Sequence, residues 1–145
     1  MKPIIKYRGG KSKEIPQILP YIPQFTGRYI EPFFGGGALF FYLEPSNAII
    51  NDINENLINF YNDVRNNYYK IKKELSSIEI EYKKNRAVFD KLKEQYPDDR
   101  INDQNEKLYY KIRDMYNGLC ETNLSYGTLY YFINKTSYSG MIRYN

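Results

Sequence analysis

The stretch Tyr29-Ile30-Glu31-Pro32-Phe33-Phe34-Gly35-Gly36-Gly37-Ala38-Leu39-Phe40-Phe41 decides the fold. A short apolar run enters it from Arg28, three consecutive glycines follow a Glu-Pro-Phe-Phe shoulder, and an apolar segment leaves. That order predicts a strand, a tight glycine turn and the N-terminus of a helix. Glycine tolerates positive φ and lacks Cβ, so a ligand can approach the backbone closely. A helix beginning there aims free N–H groups at a carboxylate or phosphate. An ordinary strand-to-helix loop also uses glycine, but three in a row between apolar runs favour a turn that holds a nucleotide-like cofactor.

Downstream, the helix Ala38 to Leu43 is broken by Glu44-Pro45-Ser46-Asn47. Ala48-Ile49-Ile50 then reads as a short buried strand, ended by Asn51-Asp52-Ile53-Asn54. Asp52 stands 15 positions after Gly37. An acidic residue at the end of a second strand accepts hydrogen bonds from ribose hydroxyls in Rossmann-like domains. A helix cap is the other use of Asp52, but Asn54 is available for that. Upstream, Lys2 to Tyr7 is β-prone around Ile4 and Ile5. Arg8-Gly9-Gly10-Lys11-Ser12-Lys13 forms a basic glycine turn before a helical pattern through Ile15, Ile18, Leu19 and Ile22. It is not a P-loop, because Ile5 stands where that motif needs its first glycine. Lys11 is placed either to meet a carboxylate or phosphate or to lie in solvent. A G-x-G-x-x-G dinucleotide motif fails at Phe40. A cofactor with a ribose and a carboxylate but no phosphate fits better, and S-adenosylmethionine is one.

From Asn54 onward, Leu57, Tyr61, Val64, Tyr68, Ile71 and Leu75 step by three or four, which predicts a long amphipathic helix. Tyr82, Phe89, Leu92 and Tyr96 continue it across a Lys/Glu-rich, solvated face until Pro97-Asp98-Asp99. Leu108 to Tyr116 and Leu124 to Ile133 predict two more helices. The last stretch, Asn134 to Asn145, reads as a loop in which Lys135 and Arg143 alternate with Tyr138 and Tyr144. Arginine reads guanine, lysine holds phosphate, and an aromatic or Met wedges between bases.

Bulk properties narrow the class. The chain has 145 residues, enough for one modest core. With 21 Lys+Arg against 17 Asp+Glu its net charge is +4, which permits a nucleic-acid partner without demanding one. Cys120 is the one cysteine, so no disulfide framework exists and a reducing, cytoplasmic setting is the default. No apolar run is long enough to span a membrane, and the chain opens without a signal-peptide pattern. Histidine is absent, which removes Ser-His-Asp and Cys-His catalysis and His-based metal sites from this chain.

Four stretches in order resemble the Dam-type adenine-N6 DNA methyltransferases. Lys6-Tyr7-Arg8-Gly9-Gly10-Lys11 is similar to that family's N-terminal cofactor motif, and Tyr29 to Gly37 to its glycine-rich motif. Ile50 to Asn54 with Leu57, Ile58, Tyr61 and Asn62 is similar to its acidic strand end and following helix, and Asn134 to Asn145 to its DNA-recognition hairpin. The resemblance implies an incomplete, Rossmann-like α/β sheet lobe for S-adenosylmethionine over residues 1–53. It implies a helical DNA target-recognition region over 54–145 that ends within a hairpin. Tyr7 and Lys11 would contact the cofactor, Lys11 near its carboxylate. Glu31, Phe33, Gly35, Gly36 and Gly37 would line the methionine end, and Asp52 would hold the ribose. Lys6 would approach a base or phosphate and Lys135 a phosphate, while Tyr138, Ser139, Met141 and Arg143 would face duplex DNA. Ser139 stands where the family often has Asn, and Met141 where it often has Leu.

The family's catalytic Asp/Asn-Pro-Pro-Tyr/Phe motif does not occur in these 145 residues. Its role is to accept hydrogen bonds from the adenine amine as charge develops and to stack on the flipped base. The resemblance therefore implies an N-terminal portion with no catalytic residue of its own, no metal, and a complementary half or oligomeric partner. A catalytically inert DNA- or cofactor-binding remnant is the alternative. Another Rossmann-like enzyme is a third reading, resting only on the glycine turn and Asp52.

Overall fold

The computed structural model describes residues 1–142. The order is α1 (Ile15–Ile18, continued by a 3-10 turn over Leu19–Tyr21), β1 (Tyr29–Glu31), α2 (Ala38–Leu43), β2 (Ala48–Ile50), α3 (Glu55–Gln95), α4 (Gln104–Tyr116) and α5 (Tyr126–Thr136). A last 3-10 turn covers Tyr138–Gly140. The protein is thus a mixed α/β chain in which a small two-stranded sheet with short helices is followed in sequence by three longer helices.

β1 and β2 pair in parallel, with Tyr29 opposite Ala48, Ile30 opposite Ile49 and Glu31 opposite Ile50. A parallel pair cannot be closed by a hairpin and needs a crossover. The glycine turn and α2 supply it. α2 ends where Glu44 turns left-handed at φ 49°, just before Pro45.

α3 is 41 residues long, about 60 Å at helical rise. Asn54 caps it, its side-chain oxygen accepting from Leu57 N–H at 3.3 Å. Asn67 leaves helical geometry (φ −127°, ψ 25°) and donates to Asp63 at 2.6 Å, so α3 kinks there. Two cores flank the kink. Ile5, Leu57, Phe60 and Tyr130 join the N-terminal segment to α3 and α5. Ile78, Leu108, Ile112, Leu129, Phe132 and Ile133 join α3, α4 and α5.

Two expectations are corrected. Lys2 to Tyr7 is not a strand. Ile5 is buried, but the Lys6 backbone pairs with the Asn134 side chain instead of a neighbouring strand. Residues 134–136 also differ from the predicted loop. Asn134, Lys135 and Thr136 finish α5, and no strand pairing occurs as far as Ile142. The helix runs on because Asn134 is buried and hydrogen-bonded there. Arg143, Tyr144 and Asn145 lie outside the described residues. Among the described residues no helix is long and apolar enough to cross a membrane.

Candidate cofactor cleft and nucleic-acid interface

The glycine turn is built against two aromatic rings. Gly35 and Gly37 have positive φ (51° and 66°). The space a Cβ would take at Gly36 is filled by Tyr7, whose own Cβ would lie 2.8 Å away, and at Gly37 by the Phe34 ring. Phe34 is buried and packs edge-on to Tyr61 at 4.9 Å and to Phe40 at 5.5 Å. Asp52 fastens the turn to the end of β2. One carboxylate oxygen accepts from Gly35 N–H at 2.7 Å and the other from Asn54 N–H at 2.9 Å.

Above this turn lies a cleft of about 370 Å³. Tyr7, Lys11, Glu31, Phe33, Gly35, Gly36, Gly37 and Asp52 all line it, so three stretches separated in sequence meet at one place. Ile18 and Leu39 add apolar wall that the motif reading did not single out. Phe33 is 86 % exposed, a large ring held at the cleft with no protein cover. Lys11 is exposed and sits 3.5 Å from Glu14, a surface pairing that leaves it available. Glu31 accepts from the Tyr29 hydroxyl at 2.8 Å. Burial raises the Glu31 carboxyl above its ordinary value, with the Tyr29 hydroxyl and the Phe40 N–H pulling the other way. The Phe40 N–H, in the first turn of α2, thus serves Glu31 rather than an outside anion. Tyr7 is raised as well, first by burial and then by the charge of Asp52, with Asn54 opposing.

The cleft can receive a ligand with a cation near Glu31, a carboxylate near Lys11 and hydroxyls near Asp52. Its volume falls in the range of small-molecule sites. Among the described residues no group of three or more Cys, Asp or Glu side chains converges as a metal site requires.

A second, smaller pocket of about 210 Å³ lies on the other side of Tyr7, which lines both. Lys6, Ser139 and Met141 of the residues expected to face DNA line it. Arg8, Asn54, Tyr130 and Asn134 line it too and were not singled out for it. Tyr130 looks like a core residue in sequence, Asn134 like the first residue of a loop, and Asn54 like a cap. Lys6 Nζ donates to the Lys135 carbonyl at 2.8 Å, placing a cation at the C-terminal end of α5. Lys135 itself lies over the Tyr131 ring at 5.1 Å, and burial, then the nearby Lys6 charge, lowers its pKa. Tyr138 is 85 % exposed, and Ser139 is left-handed at φ 54°. Arg143 lies outside the described residues.

A parallel β-α-β turn with an acidic strand end thus borders a cleft of about 370 Å³ in a mixed α/β chain. Residues 7–145 match the model of the D12 class N6 adenine-specific DNA methyltransferases, and the chain belongs to that family. It is 35 % identical over 157 residues to the type II methyltransferase M.MjaIII of Methanocaldococcus jannaschii, covering all of this chain and 49 % of the relative. It is 31 % identical over 147 residues to the type II methyltransferase M.CviBI of Paramecium bursaria Chlorella virus NC1A, covering 46 % of it. A DNA adenine methylase of Salmonella typhi is 28 % identical over 144 residues, with 97 % of this chain and 43 % of the relative covered. The chain thus spans about half the length of the curated relatives it matches.

Proposed function

We propose that the chain provides the S-adenosylmethionine cleft and part of the DNA-facing surface of a DNA adenine-N6 methyltransferase. The observation that carries this is the convergence of Tyr7, Lys11, Glu31, Phe33, Gly35, Gly36, Gly37 and Asp52 on one cleft. S-adenosylmethionine, when bound, supplies an electrophilic methyl group on a positive sulfonium. Lys11 pairs with the carboxylate of the ligand and Glu31 with its ammonium group. Asp52 accepts from the ribose hydroxyls with the lone pairs that Gly35 and Asn54 leave free. Phe33 and the glycine backbone line the methionine end.

Lys6, Ser139 and Met141 border the smaller pocket beside Tyr7, and Lys135 and Tyr138 extend the DNA-facing surface; Arg143, read from the sequence as DNA-facing, lies outside the described residues. The adenine amine is a weak nucleophile, because its lone pair is delocalised into the ring. The acceptors that activate it come from residues outside these 145. They would belong to the rest of a Rossmann-like sheet, of which β1 and β2 are one part. Residues 1–53 then form the cofactor lobe and 54–145 the helical target-recognition region. The setting is cytoplasmic, where DNA and the cofactor meet.

The test is calorimetric titration with S-adenosylmethionine and with NAD, followed by tritium transfer to unmethylated duplex DNA. Binding of S-adenosylmethionine without NAD supports the reading. Tight NAD binding with none of S-adenosylmethionine overturns it. Methyl transfer by the chain alone would mean that its own residues activate the amine. Binding that never supports transfer, even with the matching second half of a relative added, would make the chain a binding remnant.

A further inference from the structure

Asn134 is 2 % exposed and lies in the last turn of α5. Asparagine is a poor helix former, and a buried carboxamide without partners is costly. Here every side of the amide is used. Its Oδ1 accepts from the Lys6 N–H at 2.8 Å, and its Nδ2 donates to the Lys6 carbonyl at 2.8 Å. The same Nδ2 donates to the Gly140 carbonyl at 3.1 Å. An acceptor and two donors in one plane are what a carboxamide offers, and neither Asp nor Leu can replace them.

Gly140 completes the contact. It is left-handed at φ 69°, and a Cβ there would fall 2.6 Å from the Lys6 Cβ and 3.0 Å from the Lys6 carbonyl oxygen. Three segments far apart in sequence therefore meet without spare room: the N-terminal motif, the end of α5 and the turn over 138–140. The residue after Lys6 is Tyr7, whose ring lies on the Gly35–Gly36 backbone and separates the cofactor cleft from the smaller pocket. Neither Asn134 nor Gly140 lines the cleft.

We propose that Asn134 is a positioning residue that couples the two sites, by holding the Lys6 peptide and the Gly140 carbonyl in one arrangement and so fixing Tyr7 between them. The inference rests on the cofactor reading above. Cofactor in the cleft biases Tyr7, Tyr7 moves with the Lys6 peptide, and that peptide is shared with the turn bearing Ser139 and Met141. Coupling of this kind is reciprocal, so occupancy of the 138–142 side strengthens cofactor binding by the factor in which cofactor strengthens it.

The experiment measures the dissociation constant of S-adenosylmethionine for the 145-residue chain by calorimetry. Wild type is compared with Asn134→Asp, Gly140→Ala and the control Thr128→Val. Thr128 is as buried as Asn134 and sits on the same helix. Its hydroxyl donates to Glu74 at 2.5 Å, away from the junction. Gly140→Ala and Asn134→Asp are expected to weaken the cofactor about tenfold, within the usual span of coupling between sites. Thr128→Val lowers the unfolding midpoint and leaves the constant within about twofold, below the usual range of coupling. In wild type, adding S-adenosylmethionine shifts the Gly140 amide and Asn134 carboxamide NMR resonances. Should Asn134→Asp not fold, Gly140→Ala carries the test, because Gly140 belongs to neither hydrophobic core. The coupling is overturned if both variants bind within about twofold of wild type, or if Thr128→Val weakens binding equally. If wild type binds no S-adenosylmethionine, the cofactor reading itself fails, and the coupling falls with it.

Discussion

At Gly37, two physical demands coincide. The residue is left-handed, which costs an ordinary L-residue about 1–2 kcal/mol, and the Phe34 ring occupies the place of its Cβ. Overpacking a tight site adds about 1–3 kcal/mol. Gly37→Ala is therefore expected to lower stability by about 3 kcal/mol in urea unfolding. Gly9 separates the two demands, since it has φ 78° and nothing within 4 Å of a Cβ. Gly9→Ala is expected to cost about 1–2 kcal/mol, the backbone part alone. Equal losses at the two positions would show that the Phe34 ring moves aside freely.

Glu31 is the residue whose charge the cleft has raised in cost. Its folded pKa lies above the ordinary 4.5, chiefly through burial. The folded state then holds more protons than the unfolded state between those two values, so this residue's contribution falls as pH rises through that window. Glu31→Gln removes the titration. The stability of wild type relative to Glu31→Gln is expected to decline from pH 4 toward neutrality and then level off. A difference that is flat with pH, followed by denaturant unfolding at several pH values, would refute the assignment. If Glu31 holds the cofactor as proposed, the same variant is expected to bind S-adenosylmethionine more weakly, because the ammonium group would lose its counter-charge.

Among the elements, α5 shows how helix ends are satisfied from a distance. Its N-cap Ser125 makes no side-chain cap. Two carboxylates of α3 replace it, one on each side of the kink. Asp63 accepts from Gly127 N–H at 2.6 Å, and Glu74 accepts from Ser125 N–H at 3.0 Å and from the Thr128 hydroxyl at 2.5 Å. Negative charge at a helix N-terminus is favourable, and hydrogen bonds to charged groups are the stronger kind. Glu74→Ala leaves the fully buried Thr128 hydroxyl without its acceptor and is expected to cost about 2–3 kcal/mol. Asp63→Asn retains an acceptor and is expected to cost about 1 kcal/mol. Chemical denaturation checks both, and a Glu74→Ala loss smaller than that of Asp63→Asn would contradict the ranking.

The same comparison shows what was legible in the sequence. β1, α2, β2 and the start of α3 are set by local chemistry: a glycine turn, a Glu-Pro break, an Asn cap and apolar steps of three or four. The cleft was legible because its residues lie in short motifs flanking those elements. Lys2 to Tyr7 misled because Ile4 and Ile5 carry strand propensity, while the pairing group is a side chain 128 residues away. Asn134 to Thr136 misled because their polar composition reads as loop, whereas burial and the Lys6 contact keep them helical. The carboxylate capping of α5 had no local signal, since its partners lie 51 to 64 residues upstream.

In the molecule as a whole, one face of the small sheet is uncovered among the described residues. Ile30 and Ile49 are cross-strand partners, yet they are 61 % and 44 % exposed, and Ile53 nearby is 95 % exposed. Parallel sheets are normally covered on both faces, because their crossovers place helices there. Among the described residues β1 and β2 have no further strand neighbours, so their outer edges offer unpaired backbone groups to another chain. Burying one isoleucine side chain is worth about 1.5–3 kcal/mol, so a face bearing two or three of them is a strong drive to association. The chain in isolation is expected to self-associate with rising concentration in sedimentation velocity. Ile30→Lys with Ile49→Lys is expected to return it to a monomer while helical circular dichroism is kept, since neither residue belongs to either helical core. Adding the second half of a related methyltransferase is expected to compete with self-association in wild type and to have no effect on the double-lysine variant. A wild-type chain that stays monomeric and well folded at high concentration would show that this face is stable in water, and the sheet would then need no partner.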